Sequence, residues 1–455
     1  MNKKRLFFIV TKRNGREVLL LRTQRGCTLP TFDKSVPARV GFDDPGPYND
    51  WFKGRYGLDV VRRYAIDQPG SDMALFVMEP RVAEPNVPVD ALWVGAGDPL
   101  LASLHPASLR TLVAAGLVDS ADSQTIPWSN PGGYDPAFAW MFETLEQCGL
   151  TPVEPPQQVK NAYVSSVFRC RTDRGTVYLK TLPGIFVREL AVTRKLAEWN
   201  IVRLPERLAS NTEQGWMLMA DMGGCDLGES GDVDLLTKVV TRFADIQIAS
   251  TAHVGGDSPW PFYDWRVPVL RDTISDTVAE AESLLRDSPH QLTGEETARL
   301  VSSLPPWQRL CDEIIAAGIP SAIDHGDLRP GNIRVVSGDV VFYDWAWSAV
   351  THPFMALAGF LHIVRDRLCE AANCRLRDSY LERWQDYAPL DDLRRLLDLV
   401  DQARVLYGTV ADAEWLRCLW RAVDWQTPNP ASADAWTLDR RQYYFAKMLR
   451  RLMSR

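Results

Sequence analysis

The sequence predicts an α+β protein built of more than one folding unit, and three observations lead to that expectation. The chain has 455 residues, more than a single hydrophobic core usually serves. Short apolar and β-branched runs bounded by turn formers dominate up to about residue 220. From Asp232 onward the pattern is mostly helical, broken by strand-like pieces at 333 to 336 and 340 to 343.

Apolar runs at 6 to 10 and 17 to 22 flank Lys12-Arg13-Asn14-Gly15-Arg16, where Asn-Gly signals a hairpin turn. Strand-like runs at 58 to 65, 73 to 79 and 91 to 95, then a helical pattern over 106 to 115, make the first unit mixed α and β. It ends within 118 to 136, a stretch rich in Ser, Asp, Pro and Gly that reads as a linker. A helix at about 137 to 147 opens the second unit. Strands at 164 to 171 and 176 to 181 then turn at Asp173-Arg174-Gly175. A helix over 186 to 199 and strands at 201 to 209 and 216 to 220 follow. The expected divisions are an accessory unit at 1–125, a strand-rich lobe at 126–226 and a helical lobe at 227–455.

With 46% apolar and 24% charged residues, the composition is that of a globular chain and excludes general disorder. The balance of 58 acidic against 51 basic residues, a net charge of −7, gives no sign of a nucleic-acid surface. Eight scattered cysteines without a C-x-x-C pair fit a reducing, cytoplasmic setting and no zinc or redox site. The start is basic then apolar, but the apolar run stops at Thr11-Lys12 and reads as a first strand, not a signal peptide. No stretch approaches the roughly 20 apolar residues of a membrane helix, so no membrane partner is expected. The oligomeric state is left open.

The chemistry is concentrated in His325-Gly326-Asp327-Leu328-Arg329-Pro330-Gly331-Asn332. Phosphoryl transfer needs a carboxylate to orient or deprotonate the acceptor hydroxyl, and oxygen ligands that hold magnesium on the nucleotide phosphates. Asp327 lies in a loop, Asn332 follows just before a short strand, and Asp344 ends the next strand. That is the order in which protein kinases place their catalytic loop and metal-binding Asp. Upstream, Lys180 ends a strand and Glu189 stands in the first turns of the next helix, the pair that holds the α- and β-phosphates in kinases. Met219, Ala220, Asp221 and Met222 run from a strand into Gly223-Gly224 and suit a hinge whose backbone pairs with adenine.

His-Gly-Asp-Leu-x-Pro-x-Asn-Ile with Phe-Tyr-Asp-Trp downstream resembles the aminoglycoside phosphotransferase and choline kinase-like superfamily, over roughly 155 to 450. The resemblance implies a bilobal protein kinase-like fold, a β-rich lobe and a helical lobe with ATP between them, and a small-molecule hydroxyl acceptor. It makes Asp327 the base, Asn332 and Asp344 the magnesium ligands, Lys180 the phosphate holder, Glu189 its partner, and His325 structural. The chain departs from the family pattern in three places. Arg329 replaces a common His and either faces the γ-phosphate or pairs with a carboxylate. Ala356 stands where many members have Asp, and Ser165-Ser166 must cover the phosphates in place of a glycine-rich turn.

Residues 1 to 117 resemble a degenerate Nudix hydrolase fold through Leu19-Leu20-Leu21-Arg22, Leu29-Pro30 and Tyr56-Gly57-Leu58-Asp59-Val60. Gly54-Arg55 and Asp50-Trp51 occupy the positions of the metal-binding glutamates, so the unit is expected to be a non-catalytic docking or lid domain. Asp272, Asp276 and Glu280 share a helical face, either solvated or lining a pocket for a cationic acceptor. Trp260, Phe262, Tyr263 and Trp265 are expected mainly in the core. The expected activity is ATP- and magnesium-dependent phosphorylation of a small-molecule hydroxyl. The alternative is a nucleotide-binding pseudokinase acting through its N-terminal unit. A protein kinase is disfavoured because no Ala-Pro-Glu segment follows Asp344.

Overall fold

A computed structural model describes residues 5–12, 15–24, 26–32, 44–66, 73–105, 109–110, 113, 126–255, 260–422 and 433–454. The chain divides into two compact units. One comprises Met1–Val187, Arg207–Asp221 and Cys418–Arg440; the other comprises Arg188–Glu206, Met222–Arg417 and Arg441–Arg455.

The first unit begins with β1 (Arg5–Val10), β2 (Glu17–Thr23), β3 (Gly26–Thr28), β4 (Thr31–Phe32), α1 (Gly46–Tyr56), β5 (Val60–Ile66), β6 (Met73–Pro80), β7 (Ala91–Gly95) and β8 (Leu104–His105). These strands form two sheets, ordered β4-β1-β6-β5 and β7-β2-β3-β8. The hairpin expected between β1 and β2 is reduced to a bridge between Thr11 and Val18 and one bond from the Lys12 N–H to the Glu17 carbonyl. The reason is burial on both faces of β1. Leu6, Phe8 and Val10 pack with Phe52 and Phe76, while Phe7 and Ile9 pack with Leu20 and Val94. A strand apolar on both sides belongs inside a sheet, and β1 accordingly pairs in parallel with β6. Of the turn at Lys12-Arg13-Asn14-Gly15-Arg16, residues 13 and 14 lie outside the described residues. Most of the helix expected over 106 to 115 and the linker residues before Ile126 lie outside them too.

The same unit continues with α2 (Asp135–Gln147), β9 (Gln157–Ala162), β10 (Ser165–Thr172), β11 (Gly175–Thr181), β12 (Arg207–Asn211) and β13 (Trp216–Ala220). They make an antiparallel sheet ordered β12-β13-β11-β10-β9. Met141 and Leu145 of α2 pack on Phe168, Leu179 and Leu218 of that sheet. The strand β9 gave no periodic signal because its sequence, Gln-Gln-Val-Lys-Asn-Ala, buries two amides, Gln158 and Asn161.

The second unit contains α3 (Arg188–Trp199), β14 (Cys225–Asp226), α4 (Val233–Val254), β15 (Tyr263–Asp264), α5 (Val267–Ala279), α6 (Ala281–Leu284) and α7 (Gly294–Ala316). It continues with β16 (Ala322–Asp324), β17 (Ile333–Val336), β18 (Asp339–Phe342), β19 (Ala349–Thr351), α8 (Phe354–Val364) and α9 (Glu370–Leu381), with α10 (Leu390–Ala422) as far as Arg417 and with α11 (Ala433–Leu452) from Arg441, residues 418–422 and 433–440 of these two helices falling in the first unit. Small sheets β14-β17-β18 and β15-β19-β16 sit among these helices. The fold class is the one expected, a β-rich part followed by a helical part. Among the described residues, no helix is long and apolar enough to cross a membrane.

Helix α4 positions the loop that follows β16. Gln247, fully buried, donates to the carbonyls of Ile323 (3.1 Å) and Pro353 (3.0 Å), and Ser250 Oγ accepts from the Ile323 N–H (3.0 Å). The Tyr380 hydroxyl of α9 donates to Gln247 Oε1, and the Pro353 carbonyl lies 2.9 Å from the same hydroxyl. A buried amide with all its groups paired fixes its neighbours more strictly than apolar packing does.

Candidate active site

The loop after β16 turns at Gly326, whose φ is +75°. A Cβ there would lie 2.1 Å from the Trp347 carbonyl oxygen, so the backbone approach requires glycine. The Gly326 N–H donates to the Asp324 carboxylate (2.7 Å) and closes the turn. His325 is buried; its Nε2–H donates to the Tyr343 carbonyl (3.0 Å) and its ring lies 4.5 Å from that of Trp345. The histidine therefore ties the loop to the chain beside Asp344, the structural role expected of it.

Asp327 and Asn332 meet at the end of that loop. Asn332 is buried, and its Nδ2 donates to both the main-chain oxygen and Oδ2 of Asp327 (2.9 Å each). Arg329 Nε also donates to Asp327 Oδ2 (3.0 Å). Of the two possibilities for Arg329, the carboxylate pairing is thus the one observed, and its partner is the catalytic candidate itself. Asp327 Oδ1 takes no hydrogen bond from the described residues, so one carboxylate oxygen is held and the other is open.

The ribbon β17–β18 brings Asp344 back to the same end. Ile333 pairs with Phe342, and the Tyr343 N–H donates to the Asn332 carbonyl (3.1 Å). Asp344 follows with a φ of +68°, a left-handed conformation that aspartate and asparagine tolerate better than most residues. Since Asn332 spends its amide nitrogen on Asp327, its side-chain oxygen is the atom left for a cation. One amide oxygen and one carboxylate suit magnesium, which keeps several waters and takes its remaining ligands from phosphates. Among the described residues, no group of three or more His, Cys, Asp or Glu side chains is placed to hold a metal ion.

Asp324 was not singled out by sequence, although it stands directly before the motif. Burial pushes its carboxyl up to about 6, opposed by the Gly326 N–H and by the charge of Arg404. A folded-state value above the unfolded one means that its stabilising contribution is complete below about pH 4 and is lost as pH rises through about 6. Asp324→Asn is expected to flatten that dependence and raise stability near pH 8 by up to about 3 kcal/mol. Thermal melts of both proteins at pH 4 and pH 8 check this; parallel profiles would contradict it.

In the first unit, Lys180 lies at the centre of the five-stranded sheet, between Val167 and Met217, and is buried. Glu189, also buried, stands in the first turn of α3 in the second unit. Met219 and Ala220 end β13, and Met222 follows Asp221, whose N–H donates to the Thr176 carbonyl (3.0 Å). Ser165 and Ser166 open β10, both buried. The Ser166 hydroxyl donates to the Lys160 carbonyl (3.1 Å) and accepts from Tyr134 (2.9 Å), so it is committed within the protein. The Ser165 hydroxyl has no partner among the described residues.

Arg271 holds Asp272 (3.0 Å) and Asp312 (2.6 Å), and Arg417 holds Glu280 (2.8 Å). Phe262 and Trp265 are buried, and Tyr263 stacks on Trp265 with ring centres 4.5 Å apart. The Arg188 guanidinium covers Tyr263 at 3.3 Å and donates to the carbonyls of Pro261 and Ser348, so these rings already carry an internal cation. A cavity of about 490 Å³ among α8, α9 and α10, lined by residues including His362, Glu370, Arg377 and Asp398, contains none of the site residues.

A model of a phosphotransferase enzyme family matches residues 157–399, which include every candidate site residue from Ser165 to Asp344. Among solved structures, the chain is similar to a choline/ethanolamine kinase family protein from Mesorhizobium loti, at 14% identity over 69% of this chain and 94% of that one, with a TM-score of 0.44. It is also similar to a choline kinase from Streptococcus pneumoniae, at 13% identity over 69% and 99% of the two chains, with a TM-score of 0.45. A macrolide 2′-phosphotransferase from Brachybacterium faecium matches at 15% identity over 64% and 99%, with a TM-score of 0.43. No curated protein sequence matches the chain.

Proposed function

The chain belongs to the phosphotransferase enzyme family, and from that premise we propose that it transfers the γ-phosphoryl group of ATP to a hydroxyl of a small molecule. The observation that carries this reading is the asymmetric environment of Asp327. Oδ2 is fixed by Asn332 and Arg329, while Oδ1 is open to accept a hydrogen bond. A carboxylate held by one oxygen orients an acceptor hydroxyl with the other, the positioning that dominates catalysis of phosphoryl transfer.

In this reading the acceptor oxygen bonds to the γ-phosphorus as the bond to the β-phosphate oxygen breaks, and ADP leaves. The hydroxyl proton passes to Oδ1 of Asp327 and from there to solvent. Bound magnesium would supply charge neutralisation on the phosphates. Asn332 and Asp344 are the residues that hold it, Lys180 holds the α- and β-phosphates, and Glu189 fixes that lysine. The backbone from Met219 to Met222 receives the adenine. Arg329 pairs with Asp327 and in this reading is the cation nearest the γ-phosphate.

An ATP-consumption screen with magnesium, across aminoglycosides, macrolides, nucleosides, amino alcohols and sugars, tests the proposal. At least one acceptor class is expected to raise turnover above the rate with ATP alone. Tight magnesium ATP binding with no acceptor-dependent turnover across the panel would replace this reading with that of a nucleotide-binding pseudokinase.

A further inference from the structure

Strand β5 of the first sheet lies against β9 of the five-stranded sheet within the same unit, and the two edges are joined by side chains. Gln158 Oε1 accepts from the Arg62 N–H (2.8 Å), and Gln158 Nε2 donates to the Arg62 carbonyl (2.9 Å). One amide thus takes the place of a neighbouring strand and satisfies an edge that would otherwise be open. The Arg62 side chain is fully buried; its Nε donates to Asn161 Oδ1 (3.2 Å) and its Nη2 to the Asn161 carbonyl (3.0 Å), with the guanidinium 4.5 Å from the Phe76 ring.

These contacts converge on a single atom, the Tyr134 hydroxyl. It accepts from Gln158 Nε2 (2.9 Å) and Asn161 Nδ2 (2.8 Å) and donates to Ser166 Oγ (2.9 Å). Two bonds accepted and one donated exhaust a phenol. Burial raises its pKa well above the ordinary tyrosine value, so it remains a donor throughout the usable pH range. The three partners, Gln158, Asn161 and Ser166, flank the turn at 163–164 that joins β9 to β10. An arginine, two amides, a phenol and a serine buried together cost more desolvation than an apolar interface of the same size. Their return is one fixed geometry for the hairpin.

We propose that the amino-terminal sheets, through Arg62 and the Tyr134 hydroxyl, set the conformation of the β9–β10 hairpin and thereby the affinity of the protein for magnesium ATP. Arg62 and Tyr134 are then positioning residues of the phosphoryl-transfer reaction. The inference rests on the reading of this chain as a kinase whose β9–β10 hairpin covers the nucleotide phosphates. It gives the amino-terminal part of the chain a role in nucleotide binding that requires no chemistry of its own.

The test uses the full chain. Tyr134→Phe removes the hydroxyl while keeping the ring, and Leu145→Ala serves as a control that weakens the same core while leaving every member of the polar network in place. Amide exchange over residues 159–168 and calorimetric binding of a non-hydrolysable ATP analogue with magnesium are measured on both variants and the wild type. Tyr134→Phe is expected to speed exchange in the hairpin and raise Kd about tenfold, the scale of one buried hydrogen bond, with kcat near wild type. Leu145→Ala is expected to lower the melting temperature without moving Kd. Faster hairpin exchange in Tyr134→Phe with unchanged Kd would overturn the proposal, as would unchanged exchange, or an equal rise in Kd in the control. A wild type that binds no nucleotide would be seen before any substitution; it would overturn the kinase reading and this inference with it.

Discussion

Asp327→Asn is expected to reduce acceptor-dependent turnover by about 10² or more, the scale of a positioned general base, while magnesium ATP affinity stays near wild type. The local hydrogen bonds give the reason. Asn332 Nδ2 and Arg329 Nε both donate to Oδ2, so the substituted amide keeps its oxygen toward them and presents its amino group where Oδ1 stood. An amino group donates and cannot take the hydroxyl proton. The metal ligands are untouched, and the fold should be intact by thermal melting. Loss of nucleotide binding in this variant would contradict the assignment.

Asp344→Asn is expected to fail differently, by weakening nucleotide binding in a magnesium-dependent way. Magnesium favours charged oxygen ligands, and the substitution removes the one carboxylate assigned to it. Asparagine tolerates the φ of +68°, so the ribbon end is retained, whereas Asp344→Ala would add backbone strain and confuse the two effects. Calorimetry with and without magnesium is expected to show Kd raised about tenfold or more only when the metal is present, with turnover also lost. Equal Kd values for the variant and the wild type in magnesium would remove Asp344 from the metal site.

The geometry of the loop at 325–332 was legible in the sequence because its parts are close in the chain and each does local work. Gly326 permits the turn, Asn332 reaches back to Asp327 over five residues, and two short strands return Asp344 to the same place. Strands β10, β11 and β13 of the five-stranded sheet and helices α2 and α3 were legible for a similar reason, since periodicity and turn residues mark them. What the sequence concealed is non-local. Whether Arg329 pairs with Asp327 depends on a rotamer. The separation of β1 from β2 depends on Phe52, Phe76 and Val94, residues far along the chain. The strand β9 was missed because Gln158 and Asn161 are buried for the partners they meet, Arg62 and Tyr134, and a polar strand carries no alternation to read. Asp324 was passed over since its burial follows from the helices around β16 and not from its neighbours in sequence.

The central claim, phosphoryl transfer from ATP to a small-molecule hydroxyl at Asp327, is tested most directly by following the phosphoryl group. Wild type and Asp327→Asn are incubated with magnesium and ATP isotopically labelled in the γ-phosphoryl group, together with an acceptor that stimulates turnover, and the acceptor is examined by mass spectrometry. The acceptor is expected to gain the labelled group in step with ADP formation, and Asp327→Asn to transfer it at about one hundredth of the wild-type rate or less. Label recovered as free phosphate with an unmodified acceptor, or equal transfer by the two proteins, would contradict that claim.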